Sequence, residues 1–323
     1  MEKATVTAGS TLLEKVNDVV HDRVVGQNEA VEGLLVALLT GGHILLEGLP
    51  GLAKTLMVRS LAQAIHTGFR RIQFTPDLLP TDIIGTPIFD QSSGQFRVQK
   101  GPIFSNIILA DEINRAPPKV QAALLEAMEE SQVTIAGDTY PLDAPFMVLA
   151  TQNPVELHGT YPLAEAQLDR FALKLEIGYP TKDEEKTIVR RVAAAGQKPI
   201  EAVATVEELA SARAAVANVH LEEKVLDYIV ELIFATREPS GVGLADLEDL
   251  IEFGTSPRAT IFLARVSRAR AYLRGRDYVM PDDAKAMAPA VLCHRLRTTY
   301  EADARGIDSG EIVRRVLDAV PAP

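Results

Sequence analysis

The sequence predicts an α/β domain built on a parallel central sheet, followed by an all-α domain. Three observations carry this reading. Short apolar runs alternate with helical patterns through the first 180 residues. A glycine-rich loop joins the first of those runs to a helix. Beyond residue 200 helical periodicity continues and convincing strands are absent.

The elements follow in order. His43–Glu47, Ser105–Glu112 and Pro145–Asn153 are apolar runs bounded by Gly, Pro or polar residues, the pattern of buried parallel strands. Between them Asn28–Thr40, Lys54–His66 and Pro118–Glu130 read as helices; in the last, Val120, Leu124, Leu125 and Met128 recur at helical spacing. Two hairpins are expected as insertions. One spans Thr86–Pro102, with a turn at Gln91–Gly94, and the other spans Gln132–Leu142, with a turn at Gly137-Asp138. In the second half Lys182–Ala195, Val206–Asn218, Glu222–Ala235, Pro257–Arg274 and Pro281–Arg295 carry helical periodicity, and Pro257 and Pro281 stand where a first-turn proline loses no hydrogen bond. The boundary is expected near 180–200, with Gly196–Pro199 as linker, giving domains of 1–185 and 200–323.

Composition excludes several classes. The 323 residues hold 33 Lys+Arg against 44 Asp+Glu, a net charge of −11. The excess is −8 in the first 180 residues and −3 afterwards. An acidic surface repels a phosphate backbone, so direct nucleic-acid binding is not expected, and the hairpins carry too few basic residues to offset this. Cys293 is the single cysteine, which leaves no disulfide framework or cysteine-cluster metal site. Its bland reading is a buried free thiol. The six histidines show no metal-ligand spacing, and His43 reads as a packed core residue. The longest apolar run, Val31–Leu46, is broken by Glu32, Gly41, Gly42 and His43, short of the roughly 18–20 residues a membrane span needs. With no apolar core in Met1–Ser10, a cytoplasmic protein is expected. Arg265, Arg268, Arg270, Arg274 and Arg276 read as a solvated helix face or as part of a subunit interface.

The chemistry starts at Gly48-Leu49-Pro50-Gly51-Leu52-Ala53-Lys54-Thr55, between a strand and a helix that continues through Leu56. Glycines let backbone N–H groups converge on phosphate oxygens, and the helix presents its positive end to the same charge. Lys54 then reaches the β- and γ-phosphates, and the Thr55 hydroxyl can ligate Mg²⁺. Ala53 stands where glycine is usual: in helical φ/ψ a methyl is tolerated there, at positive φ it is strained. The run Ile107–Ala110 ends in Asp111-Glu112, delivering acids to the crevice of an open sheet. Asp111 suits Mg²⁺ through its water shell, and Glu112 suits polarising the water that attacks the γ-phosphate. Asn153 either orients that water or, with Pro154, only starts a turn.

Together these motifs resemble an AAA+ ATPase, and within that superfamily the MoxR family. GLPGLAKT (48–55), with alanine before the lysine, DEINRAPPKVQAALLEAMEE (111–130), ATQNP (150–154), PLAEAQLDRF (162–171) and SPRA (256–259) match family blocks in order. The resemblance covers roughly residues 20 to 300. It implies a P-loop AAA+ core with a C-terminal all-α lid, binding ATP with Mg²⁺. Val25-Gly26-Gln27 resembles the adenine-contacting segment, Asn153 fits sensor 1, Arg170 the arginine finger and Arg258 sensor 2. Arg115 is a further candidate for intersubunit sensing. From the residues alone, surface ion pairs are the favoured reading of Arg170 and Arg258, and the resemblance reverses that preference.

The implied activity is ATP hydrolysis driving chaperone-like remodelling or maturation of partner proteins, often ones with a von Willebrand A-type domain. A finger acting in trans requires a closed homo-oligomer, which the resemblance makes a hexamer. The alternatives are the motor subunit of a metal chelatase and a nucleotide-gated scaffold; the intact Asp111-Glu112 pair argues against the scaffold.

Overall fold

The computed structural model describes residues 2–92, 94–153, 159–193 and 199–323. Ser93, Pro154 of the ATQNP block and Gly196–Lys198 of the expected linker lie outside the described residues. Two compact units emerge: Lys15–Arg170 with Leu175–Leu209, and Met1–Glu14 with Phe171–Lys174 and Ala210–Pro323. The sequence reading has Met1–Glu14 in the first domain. Close packing groups them with the second unit, since a Cβ at Gly9 would lie inside the Tyr272 hydroxyl's contact distance.

In the first unit, strands β1 (Ile44–Gly48), β2 (Phe69–Gln73), β3 (Gly85–Asp90), β4 (Gln95–Lys100), β5 (Ile107–Asp111), β6 (Gln132–Ile135), β7 (Asp138–Pro141), β8 (Met147–Gln152) and β9 (Leu173–Ile177), whose first two residues are grouped with the other unit, alternate with helices. The central sheet runs β2-β5-β8-β1-β9, and β2 with β5, β5 with β8 and β8 with β1 are all parallel. The middle three strands are the apolar runs; residues 107–110 and 147–151 are buried throughout. Two outer strands escaped prediction. In β2 only Ile72 is buried among Arg70, Arg71 and Gln73, and β9 alternates as Leu-Lys-Leu-Glu-Ile.

The helices of this unit are α1 (Glu2–His21), which continues from the other unit, α2 (Asn28–Thr40), α3 (Lys54–Ala64), α4 (Pro80–Ile84), α5 (Pro118–Glu130), α6 (Glu165–Leu168) and α7 (Lys182–Ala193). Both expected hairpins form, β3 with β4 and β6 with β7. The second turns one residue earlier than predicted: Ile135 pairs with Asp138, so the loop is Ala136-Gly137, at φ 52° and 95°. Two residues at positive φ give the twist that matches the flanking strands. His43 is a core residue as read. Its Nδ1 accepts from the Val148 N–H at 3.0 Å, so its Nε2–H donates to the Met128 carbonyl at 3.0 Å.

The second unit contains α8 (Val206–Ala217), whose first turn belongs to the other unit, α9 (Glu223–Ala235), α10 (Pro257–Leu273), α11 (Pro281–Leu292), α12 (Tyr300–Arg305) and α13 (Ser309–Ala319). A small antiparallel pair, β10 (Ile251–Phe253) with β11 (Arg297–Thr298), corrects the expectation of no strands there. At three and two residues these strands are too short to register as periodicity. Cys293 is a free thiol as expected, but half-buried rather than buried.

The arginine run is not one solvated face. Arg265 and Arg274 are exposed, but Arg270 and Arg276 converge on Asp283, which has no exposed surface. Arg276 grips both carboxylate oxygens at 2.7 and 2.8 Å, Arg270 adds a bond at 2.9 Å, and the Met280 N–H a fourth at 2.9 Å. Burial alone would raise the Asp283 pKa, but the bonds from Arg276 and Met280, the Arg276 charge and the Arg270 bond hold it below the usual carboxylate value. A depressed folded pKa stabilises fully above the unfolded value, about pH 4, and the contribution fades as pH falls through the folded value. Asp283→Ala strands two half-buried guanidinium groups and is expected to cost about 3–5 kcal/mol in denaturant unfolding. The loss should shrink below about pH 4; a loss under about 1 kcal/mol at neutral pH would contradict this geometry.

Candidate functional site

Because β1, β8 and β5 are adjacent and parallel, their carboxyl ends open onto one edge of the sheet. There β1 delivers the glycine-rich loop, β8 delivers Asn153 and β5 delivers Asp111 and Glu112. Neighbouring strands lie about 5 Å apart, so the loop and the acids face each other across about 10 Å with Asn153 between them.

Each part has a local cause. At Gly48 a Cβ would approach the Ile177 carbonyl to 2.6 Å, so the loop leaves the sheet through a position that excludes side chains. Gly51 turns the loop at φ 87°. Lys54 opens α3, and its Nζ donates to the Gly48 carbonyl at 2.5 Å, bridging the two ends of the loop. Burial lowers the Lys54 pKa, opposed by the charges of Asp111, Glu112 and Glu47. Ala53 adopts φ 58° and ψ 17°, the left-handed alternative of the two the sequence left open. An L-residue there is strained by about 1–2 kcal/mol, while glycine costs about 0.4–1 kcal/mol through the unfolded chain. Ala53→Gly is therefore expected to leave stability unchanged or raise it by up to about 1 kcal/mol, read by denaturant unfolding. Destabilisation of about 1 kcal/mol, the cost of glycine inside a helix, would show that residue 53 is helical.

Apart from Arg115, the acid pair is held by side chains that the sequence reading did not single out. Thr151 Oγ1 donates to Asp111 Oδ1 at 2.6 Å and accepts the Glu112 N–H at 2.8 Å, fixing both acids with one hydroxyl. Gln73 donates to Glu112 Oε2 at 2.9 Å, and Arg115 Nε lies 3.3 Å from the same oxygen. Arg71 Nε and Nη2 reach Asp111 Oδ2 at 2.9 and 2.5 Å. Glu112 itself sits at φ 57°, a strained backbone of the kind that aims functional side chains.

Beside the loop lies a cavity of about 1310 Å³, lined by Val24, Val25, Gln27, residues 50–53, Leu56, Tyr179, Ile188 and Val192 among others. Gly26, at φ 70°, faces Glu184, and Gln27 Nε2 donates to the Gly178 carbonyl at 2.8 Å. Arg191 closes one flank by donating to the His21 and Asp22 carbonyls at 2.7 and 2.9 Å. The cavity, bordered by both apolar and charged side chains and reaching loop residues 50–53, has room for a nucleoside beside a phosphate-type loop.

Comparisons with known proteins agree. Residues 43–173 match the profile of the ATPase family associated with various cellular activities (AAA), and residues 245–316 match the AAA lid domain. The chain is 47% identical to the chaperone MoxR1 of Mycobacterium tuberculosis, over 93% of this chain and 79% of that protein. It is 31% identical to the MoxR protein of Methylorubrum extorquens, over 93% and 92%. A crystal structure from Cytophaga hutchinsonii, solved under the description of an ATPase, superposes with a TM-score of 0.94 at 48% identity, covering 99% of this chain and 97% of that one. The chain belongs to the MoxR family of AAA+ ATPases. It binds and hydrolyses ATP, and its fold is the P-loop core with a helical lid.

As a MoxR protein, it distributes the remaining predicted residues unevenly. Arg170 follows α6, and its Nη1 contacts the Leu125 carbonyl at 2.8 Å and Glu129 at 2.9 Å, both on α5. Arg115 touches Glu112 of its own chain. Arg258 stands in the helical unit at the first turn of α10, where Ser256 Oγ accepts its N–H at 3.2 Å. The donor set fits magnesium. Thr55 and Asp111 offer oxygen only, and Asp111 already carries a cationic partner in Arg71. Among the described residues no cluster of three or more His, Cys, Asp or Glu could hold a metal, so phosphate and water would complete the shell. Among those residues, too, no helix is long and apolar enough to cross a membrane.

Proposed function

We propose that this chain is a Mg²⁺-dependent ATPase motor of the cytoplasm, assembled as a closed homo-hexamer, that remodels or matures partner proteins. Lys54 and the acid pair meeting at the carboxyl ends of β1, β8 and β5 is the observation that carries this reading. The compact unit rich in strands is its nucleotide-binding core, and the helical unit is its lid.

In this reading Val25 and Gly26 border the adenine, and the backbone from Gly48 through Leu56 cradles the phosphates. Lys54 supplies countercharge to the β- and γ-phosphates. Thr55 and Asp111 hold magnesium, which when bound neutralises charge on the phosphate oxygens. Glu112 accepts the proton of the attacking water, Asn153 orients that water, and Arg258 senses the γ-phosphate from the lid. Arg170 serves the neighbouring subunit's nucleotide, for charge builds on the phosphoryl oxygens and a planar guanidinium matches them. Head-to-tail closure then gives every site one finger.

The hairpin β3–β4 is the element suited to passing motion to a partner. Phe89 and Phe96 stack edge to face at 5.2 Å yet are 52% and 72% exposed, an apolar surface with no role in the core. A partner with a von Willebrand A-type domain is the kind the family resemblance suggests. Assembly provides the test. Turnover per subunit is expected to rise as protein concentration goes from nanomolar to micromolar, following the oligomer measured by sedimentation. Flat turnover across that range would contradict a finger acting in trans.

A further inference from the structure

Asp111 meets a cation of this chain's own. Arg71 and Gln73 lie two residues apart on β2, on the same face, with Arg71 opposite Leu109 and Gln73 opposite Asp111 in the parallel register. From there Arg71 directs both Nε and Nη2 at one oxygen, Asp111 Oδ2, and its Nη2 is braced by Gln73 Oε1 at 2.9 Å. The other oxygen, Oδ1, is committed to Thr151. The Arg71 side chain is half exposed, whereas that of Asp111 is 15% exposed, so the arginine can swing away while the acid stays fixed.

A divalent cation serving the phosphates must use the same carboxylate. A guanidinium and a magnesium ion cannot share one oxygen at contact distance without strong repulsion, and the shielded acid gives little solvent screening. We propose that Arg71 is the counter-ion of Asp111 in the metal-free protein and competes with Mg²⁺ for it. It thereby sets the magnesium concentration at which nucleotide is held tightly. The arginine keeps the acid aligned and paired before loading, at the cost of a weaker metal site. The inference rests on Asp111 being the magnesium-side acid.

The test uses the full chain, a fluorescent ADP analogue and free Mg²⁺ titrated from micromolar to millimolar, with EDTA as the metal-free reference. Arg71→Gln is expected to tighten nucleotide at about tenfold lower Mg²⁺ than wild type, the scale of one charge-assisted hydrogen bond, with affinity in EDTA unchanged. Arg71→Lys, which keeps charge without the fork, should fall between them, and it decides the matter if Arg71→Gln does not fold. Melting of the metal-free protein gives a second readout: Arg71→Gln and Asp111→Asn should each lower the melting temperature, and the double variant should fall no further. An unchanged or higher magnesium requirement in both Arg71 variants overturns the proposal. If Asp111→Asn leaves the wild-type response to magnesium intact, the assignment of Asp111 fails, and the proposal fails with it.

Discussion

Glu112→Gln is expected to keep ATP bound and to stop its hydrolysis. The substitution preserves size and hydrogen-bonding reach: the backbone N–H still meets Thr151 Oγ1, and the side-chain oxygen can still accept from Gln73. What disappears is the ability to take a proton from water. General-base catalysis contributes about 10²–10⁴ in rate, so turnover should fall by about that factor while nucleotide affinity stays near wild type. Binding measured by equilibrium fluorescence and turnover measured by phosphate release separate the two. A variant that hydrolyses ATP at the wild-type rate would remove Glu112 from the chemistry. The αL backbone at Glu112 makes the result sharper, since a strained residue held by Thr151 has its direction imposed by the fold.

Arg170→Ala should cost still more in turnover. Arginine fingers supply about 10³–10⁵ in rate, and their removal leaves ground-state nucleotide binding largely intact. The structure adds a local cost to using this side chain. Arg170 is bonded to the Leu125 carbonyl and paired with Glu129, and its side chain is 31% exposed. It must leave those partners to reach a neighbour's phosphate, an exchange that a half-exposed ion pair permits cheaply. Arg170→Lys should not rescue, because a point charge lacks the planar fork. Recovery of most activity by lysine would assign Arg170 to the α5 ion pair alone.

Much of this site was legible in the sequence. β1, β5 and β8 each open on an unbroken apolar, buried run, as strands covered on both faces do, and the loop and acid pair each lie within a few consecutive residues. The hairpins announced themselves by alternation around glycine. What stayed hidden depends on pairing between strands. Arg71 and Gln73 sit on a strand whose polar surface masks its membership of the sheet, and only the β2–β5 register brings them to Asp111 and Glu112. Thr151 reads as an ordinary strand residue until β8 is placed beside β5. Asp283 looks like a first-turn acid, and its burial between Arg270 and Arg276 depends on how α10 meets α11. A polar residue on a strand neighbouring an acidic strand end was the signal available for Arg71, though adjacency itself could not be read from local pattern.

In the proposed ring, each site is completed by an arginine from the next subunit. Mixing two inactive proteins tests it directly. Glu112→Gln subunits carry an intact Arg170, and Arg170→Ala subunits carry an intact Glu112. Where an Arg170→Ala subunit receives its finger from a Glu112→Gln neighbour, one site becomes whole. Mixed oligomers, formed by dissociation and reassembly, are expected to regain ATP turnover, greatest near equal proportions and absent from either protein alone. If the mixture stays as inactive as its components while sedimentation shows that the subunits have exchanged, Arg170 does not act in trans.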